Sequence, residues 1–185
     1  MKLALLIFAG LLGLFTIILV FIVYPFLKDI RMSQQPCKDT AVYTSVSEAL
    51  AHKDTACDVW LGSRGLTTVP PELQQLPHLR ILILSHNAFS SFPEEVTKLH
   101  TLVRLDLSNN NLGSIPPSIG ALKELRILNL DETNIADLPK EIGELPKLEA
   151  VTLSGNQFTK RSAVLENTKR KIIVDYTYNP FTEDL

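Results

Sequence analysis

A period of 23 residues runs through most of this 185-residue chain without an insertion, and nothing else constrains its fold as strongly. One apolar column is Val59, Leu82, Leu105, Leu128, Val151 and Val174. A second, two residues on, is Leu61, Leu84, Leu107, Leu130, Leu153 and Tyr176. A third is Leu66, Phe89, Leu112, Ile135, Phe158 and Phe181. The alternation in the first two columns predicts a short strand per unit, and no unit can bury its own apolar face alone. The expected fold is therefore a stack of about six parallel strands, spaced about 4.8 Å and forming a curved sheet about 24 Å across. The second half of each unit carries Val69-Pro70, Phe92-Pro93, Ile115-Pro116 and Leu138-Pro139 in one phase. It returns as irregular or short helical structure, where proline has no strand ladder to break.

A fourth column reads Arg64, Asn87, Asn110, Thr133, Asn156 and Asn179. A short side-chain amide both donates to and accepts from backbone where a strand turns a corner, so stacked copies form a ladder that satisfies buried turn groups. Arg64 lies in the first unit, where repeats are usually atypical. Thr133 is interior, and its hydroxyl fills only part of the role, which predicts a local weak point.

The unit L-x-x-L-x-L-x-x-N-x-L followed by x-x-I-P-x-x-I-x-x-L resembles the leucine-rich repeat family, in its 23-residue class, over about residues 56–181. The Ala-Leu segment at 49–50, followed by a strand and then Gly-Leu-Thr-Thr-Val-Pro, resembles the opening of bacterial members, including membrane-anchored ones. The resemblance implies an α/β solenoid with a parallel concave sheet, and binding rather than catalysis. It specifies fold far better than function. It also implies a stapled N-terminal cap in exported members, with Cys37 and Cys57 as the pair; two free thiols in a reducing cytosol are the alternative.

Residues Leu3 to Leu27 contain no charge. As a helix of about 37 Å they would cross a hydrocarbon core of about 30 Å with some tilt. The apolar run is longer than a cleaved signal peptide allows, and Val-Tyr-Pro-Phe-Leu-Lys offers no small-x-small cleavage site. The expectation is one uncleaved transmembrane anchor over residues 1–28, hence a single-pass membrane protein. Lys28, Arg31 and Lys38 favour cytoplasmic repeats by the positive-inside rule. The cysteine pair favours the extracytoplasmic side, which is the orientation preferred here. The chain holds no Asn-x-Ser/Thr sequon.

The remaining boundaries are a juxtamembrane linker at 29–44, a capping helix at 45–56, repeats at 57–159, and a last partial repeat with C-terminal cap at 160–185. A net charge of −2 gives no basic excess for nucleic acid. The four histidines show no metal-ligand spacing with the cysteines, and there is no phosphate-binding glycine loop. No catalytic residue, cofactor, metal or small-molecule substrate is expected. The concave face is the candidate site: Trp60, Ile83, Arg104, Asp106, Asn129 and Tyr178 offer apolar anchors with polar selectors for a protein partner. An envelope-organising protein is the alternative of a different class, and a secreted effector or enzyme regulator a further one.

Overall fold

In the computed structural model, which describes Cys37 and residues 41–181, the apolar columns become continuous lines of buried side chains. Strands β1 (Val42–Tyr43), β2 (Asp58–Trp60), β3 (Ile81–Ile83), β4 (Arg104–Asp106), β5 (Ile127–Asn129), β6 (Ala150–Thr152) and β7 (Ile173–Asp175) form one parallel sheet in chain order. From β2 to β7 each residue faces the one 23 positions on: Val59 opposes Leu82, Leu82 opposes Leu105, and so on to Val174. One sequence period is thus one rung of the ladder.

The sheet has seven strands rather than six. The extra one, β1, falls inside residues 29–44, expected to be linker. It sits outside the period because Val42 opposes Asp58 at an offset of 16 residues. Tyr43 is buried and stacks on His52 with ring centroids 5.4 Å apart, which fixes β1 against the end of the stack. Helix α1 spans Val46–Ala51, shorter than the expected 45–56. Ser45 caps it by accepting from the Glu48 amide at 3.2 Å, and the amides of Thr55 and Ala56 both turn back to the His52 carbonyl. Ala49 is fully buried, and α1 packs on β1 and on the return segment of the first unit. A disulfide joins Cys37 to Cys57, just before β2, with Cα atoms 5.8 Å apart. In the chain-entropy account, closing a loop of this length stabilises by about 3 kcal/mol. The anchor expected at 3–27 lies outside the described residues; among those described, no helix is long and apolar enough to cross a membrane.

The return halves are 3-10 turns at Pro71–Gln75, Glu94–Lys98 and Pro117–Ala121, and α-helical in α2 (Lys140–Glu144) and α3 (Ala163–Glu166). Pro70, Pro93, Pro116 and Pro139 stand at the N-cap of the first four. Their fixed φ suits that position, and their missing amide is one the first turn leaves unpaired in any case. Packing here is tight: a methyl group added at Gly143 would lie 2.6 Å from the Val164 carbonyl oxygen.

The asparagine column closes the corners. The Asn156 amide donates to the carbonyls of Leu130 (2.7 Å) and Leu153 (3.0 Å), and its oxygen accepts from the amides of Thr133 and Ile135 (both 3.1 Å). Asn87 repeats all four bonds, and Asn110 and Asn179 repeat both donations but accept one amide each, from Phe89 and Phe158. The preceding residue is left-handed in every unit: Ser63, His86, Asn109, Glu132, Gly155 and Tyr178. Thr133 is accommodated rather than left wanting. It is fully buried, its hydroxyl donates to the Leu130 carbonyl at 2.7 Å, and its own carbonyl accepts the amides of Leu112 and Gly113. In the two units without asparagine a further residue, Gly65 or Asn134, also turns left-handed, so backbone rotation supplies what the side chain lacks.

Replacing Asn156 with alanine strands the buried amides of Thr133 and Ile135 and removes one of the two donors to each of the Leu130 and Leu153 carbonyls, which keep the Thr133 hydroxyl and the Asn179 side-chain amide. It should lower the free energy of unfolding by about 3 kcal/mol, read from urea titration, while the exposed Asn111→Ala changes it by less than about 0.5 kcal/mol. A loss below about 1 kcal/mol for Asn156→Ala would contradict the ladder's role.

Candidate recognition surface

Strand alternation sends Val59, Leu82, Leu105, Leu128, Val151 and Val174 inward and leaves their flanking residues on the other face of the sheet. Two outward columns result: Asp58, Ile81, Arg104, Ile127, Ala150 and Ile173, and Trp60, Ile83, Asp106, Asn129, Thr152 and Asp175. They divide the face into two chemically different halves.

The N-terminal half is apolar and incompletely satisfied. Trp60 is 49% exposed, and Ile81 and Ile83 beside it are half-buried. Asp58 and Arg104 flank Ile81 from the strands on either side. Burial pushes the Asp58 carboxyl above its usual range, and the positive charge of Arg104 opposes that rise. Asp58 Oδ1 and Arg104 Nε are buried atoms without a hydrogen-bond partner among the described residues. A native protein pairs nearly all such atoms, because each orphan costs about 1–3 kcal/mol.

In the C-terminal half the second outward column is polar and bonded largely from within, beside Ile127, Ala150 and Ile173 of the first. Asp106 is only 8% exposed; it accepts from the amide (3.0 Å) and hydroxyl (2.7 Å) of Ser108 and from Asn129 Nδ2 (3.2 Å). Asn129 Oδ1 accepts from the Asp131 amide at 3.0 Å and the Thr152 hydroxyl at 2.7 Å. Asp175 accepts from the amide and hydroxyl of Thr177. Asp106 and Asn129, expected to face a partner, therefore spend their polar atoms holding strands together. Tyr178 is 73% exposed but follows β7, about 24 Å across the sheet from Trp60. Of the expected set, the structure brings together Trp60, Ile83 and Arg104, and adds Asp58 and Ile81.

Asp131 is a residue that sequence reasoning passed over. Its carboxylate accepts from the Ser154 amide at 2.7 Å. Burial is the main reason its pKa rises to about 6; the nearby negative charges of Asp175 and Asp106 add to it, and hydrogen bonds from Ser154 and Thr152 work against it. The available signal was its place in a column otherwise made of Ser85, Ser108, Ser154 and Thr177. Among the described residues no group of three or more His, Cys, Asp or Glu is arranged to hold a metal ion.

A family described as a leucine-rich repeat region matches residues 68–166, more than half of the chain. No curated protein sequence matches it. Among solved structures, a leucine-rich repeat protein of Leptospira interrogans is similar at 28% identity and a TM-score of 0.65, over 80% of this chain and 43% of its own. Internalin C2 of Listeria monocytogenes is similar at 25% identity and a TM-score of 0.59, over 72% of this chain and 57% of its own. The ectodomain of the Arabidopsis thaliana receptor kinase GASSHO1/SCHENGEN3, in complex with Casparian strip integrity factor 2, is similar at 33% identity and a TM-score of 0.53, over 71% of this chain and 16% of its own. The chain spans less than two thirds of the length of each.

The raised pKa of Asp131 has a definite sign. The folded carboxyl keeps its proton up to about pH 6, whereas an unfolded aspartate loses it near 3.9. The native state therefore binds more protons between about pH 4 and 6, and this group's contribution to stability falls as pH rises through that window. Asp131→Asn should gain stability relative to the parent at pH 7.5 compared with pH 4.5, by urea unfolding at both. An identical offset at the two pH values would contradict the assignment.

Proposed function

The chain belongs to the leucine-rich repeat family, and from that starting point we propose that it is a recognition scaffold whose concave sheet holds a protein or peptide partner without chemical turnover. The observation that carries this reading is the N-terminal half of the face, where an exposed tryptophan lies beside Ile83, and Ile81 lies between Asp58 and Arg104, each with a buried atom that has no hydrogen-bond partner among the described residues. Trp60 and Ile83 supply the apolar anchor. Asp58 and Arg104 supply selection through their opposite charges beside that anchor. Asp106, Asn129 and Thr152 keep the rest of the sheet in one conformation, so binding costs little ordering entropy. The similar Arabidopsis ectodomain was crystallised in complex with Casparian strip integrity factor 2, which supports a binding role for a repeat stack of this kind.

The reading extends to location. In this reading residues 3–27 tether the repeats to a membrane as a single span, and the Cys37–Cys57 disulfide supports an oxidising, extracytoplasmic side for the repeats. Lys28, Arg31 and Lys38 favour the opposite orientation. The disulfide carries more weight, because it persists only where thiols are not continuously reduced.

A photo-crosslinking residue placed at Ile83 should give a discrete adduct in intact cells, and the same residue at Lys98 on the return side should not. Arg104→Glu should reduce the Ile83 adduct about tenfold. Equal labelling from both positions, or no adduct from Ile83, would contradict concave-face recognition.

A further inference from the structure

The far end of the sheet is a second surface, independent of the concave face. In each inner unit the amide of the second-column leucine donates to the following strand: Leu61 to the Ile83 carbonyl, Leu84 to Asp106, Leu107 to Asn129, Leu130 to Thr152 and Leu153 to Asp175, at 2.8–3.0 Å. Tyr176 holds this position in the last unit, and no described strand lies beyond β7 to receive its amide. The carbonyl of Glu149 accepts the amide of Ile173, and Ile172 is the equivalent one unit later. Among the described residues the outer edge of β7 is unpaired, and it presents the Ile172 carbonyl, both backbone groups of Val174, and the Tyr176 amide, in the spacing of a parallel ladder.

Apolar columns surface beside that edge. Val174 and Tyr176 are half-buried, whereas their counterparts inside the stack are almost fully buried. Ile173 and Phe181 are each 39% exposed. Tyr176 is held by edge-to-face contacts with Phe158 (5.6 Å) and Phe181 (5.7 Å), and its hydroxyl accepts from the Ser162 amide. Of the cap expected over 160–185, the described residues 160–181 cover the end only in part. A cleft of about 1130 Å³ remains, rimmed by Lys160, Arg161 and Lys171, with Glu166 the one acidic residue in its lining among the described residues. Arg170 also lines it, but its guanidinium is occupied by the carbonyls of Gly143, Leu145 and Leu148.

We propose that this end docks an acidic, extended segment of another polypeptide, which joins the sheet as a further strand beside β7. Its apolar side chains cover Val174 and Tyr176, and its carboxylates meet Lys160, Arg161 and Lys171. Charge separates this occupant from a second copy of the chain, since pairing two such ends would set the same cations against each other.

The test is fluorescence anisotropy with the full chain in detergent micelles and two labelled probes, Glu-Glu-Val-Thr-Val-Glu-Glu and Lys-Lys-Val-Thr-Val-Lys-Lys. The acidic probe should bind saturably and the basic probe should not. The double variant Lys160→Glu, Lys171→Glu should weaken binding about tenfold, and so should raising the salt from 0.05 M to about 0.5 M. Val174→Pro, which removes an edge amide but no bond to β6, should weaken it similarly. Trp60→Ala should leave it unchanged, separating this site from the concave face. Absence of saturation, equal binding of both probes, insensitivity to the lysine double variant, or loss on Trp60→Ala would overturn the proposal. So would a stable dimer in sedimentation that the acidic probe does not compete away.

Discussion

A strand that leaves a parallel sheet to turn a corner exposes peptide groups that the next strand no longer reaches and that core side chains shield from water. Here the asparagine column meets that constraint. One side-chain amide bridges two successive carbonyls and the amide of the preceding unit, so each corner is bonded both to itself and to its neighbour. The left-handed residue before each ladder position aims the side chain inward. Because the bond spans adjacent units, it also sets the stacking distance and keeps the 23-residue register from slipping. The apolar columns supply most of the favourable free energy, but apolar contact alone is non-directional and would tolerate a shifted register.

A stack closed in this way leaves both ends and one face to be dealt with separately. The N-terminal end is covered by β1 and α1 and tied by Cys37–Cys57. Among the described residues the C-terminal end is only partly covered, by Tyr176 and Phe181. On the concave face, Asp106, Asn129 and Asp175 each accept the backbone amide two residues ahead, which consumes their polar atoms and stiffens the sheet. What remains for a ligand is Trp60, Ile81 and Ile83 with Asp58 and Arg104, a small rigid patch beside a satisfied polar field.

The strands β2–β7, their register and the corner asparagines could all be read from the sequence, because each follows from a fixed period and the chemistry of one residue type. β1 could not, since its offset from β2 follows no repeat and its two residues carry no alternation. Alternation also placed Asp106 and Asn129 on the correct face, but face is not availability. The Asp-Leu-Ser and Asn-Leu-Asp spacing at 106–108 and 129–131 is that of side chains folding back on their own backbone, which was the sign that they were already engaged. The atoms of Asp58 and Arg104 left without a partner among the described residues depend on side-chain geometry across three strands, which no linear pattern encodes. Thr133 looked like a defect because the substitution was visible and the compensating rotation at Asn134 was not.

Hydrogen exchange followed by NMR tests the corner ladder most directly. The amides of Leu66, Phe89, Ile135 and Phe158 each donate to an asparagine side chain rather than to another strand. If the ladder holds the stack together, these amides exchange within about tenfold of the inter-strand amides of Leu84, Leu107 and Leu130, because both open only when units separate. Corner amides exchanging at the rate of exposed loops, beside fully protected strands, would mean that the leucine columns hold the fold and the asparagines merely decorate its bends.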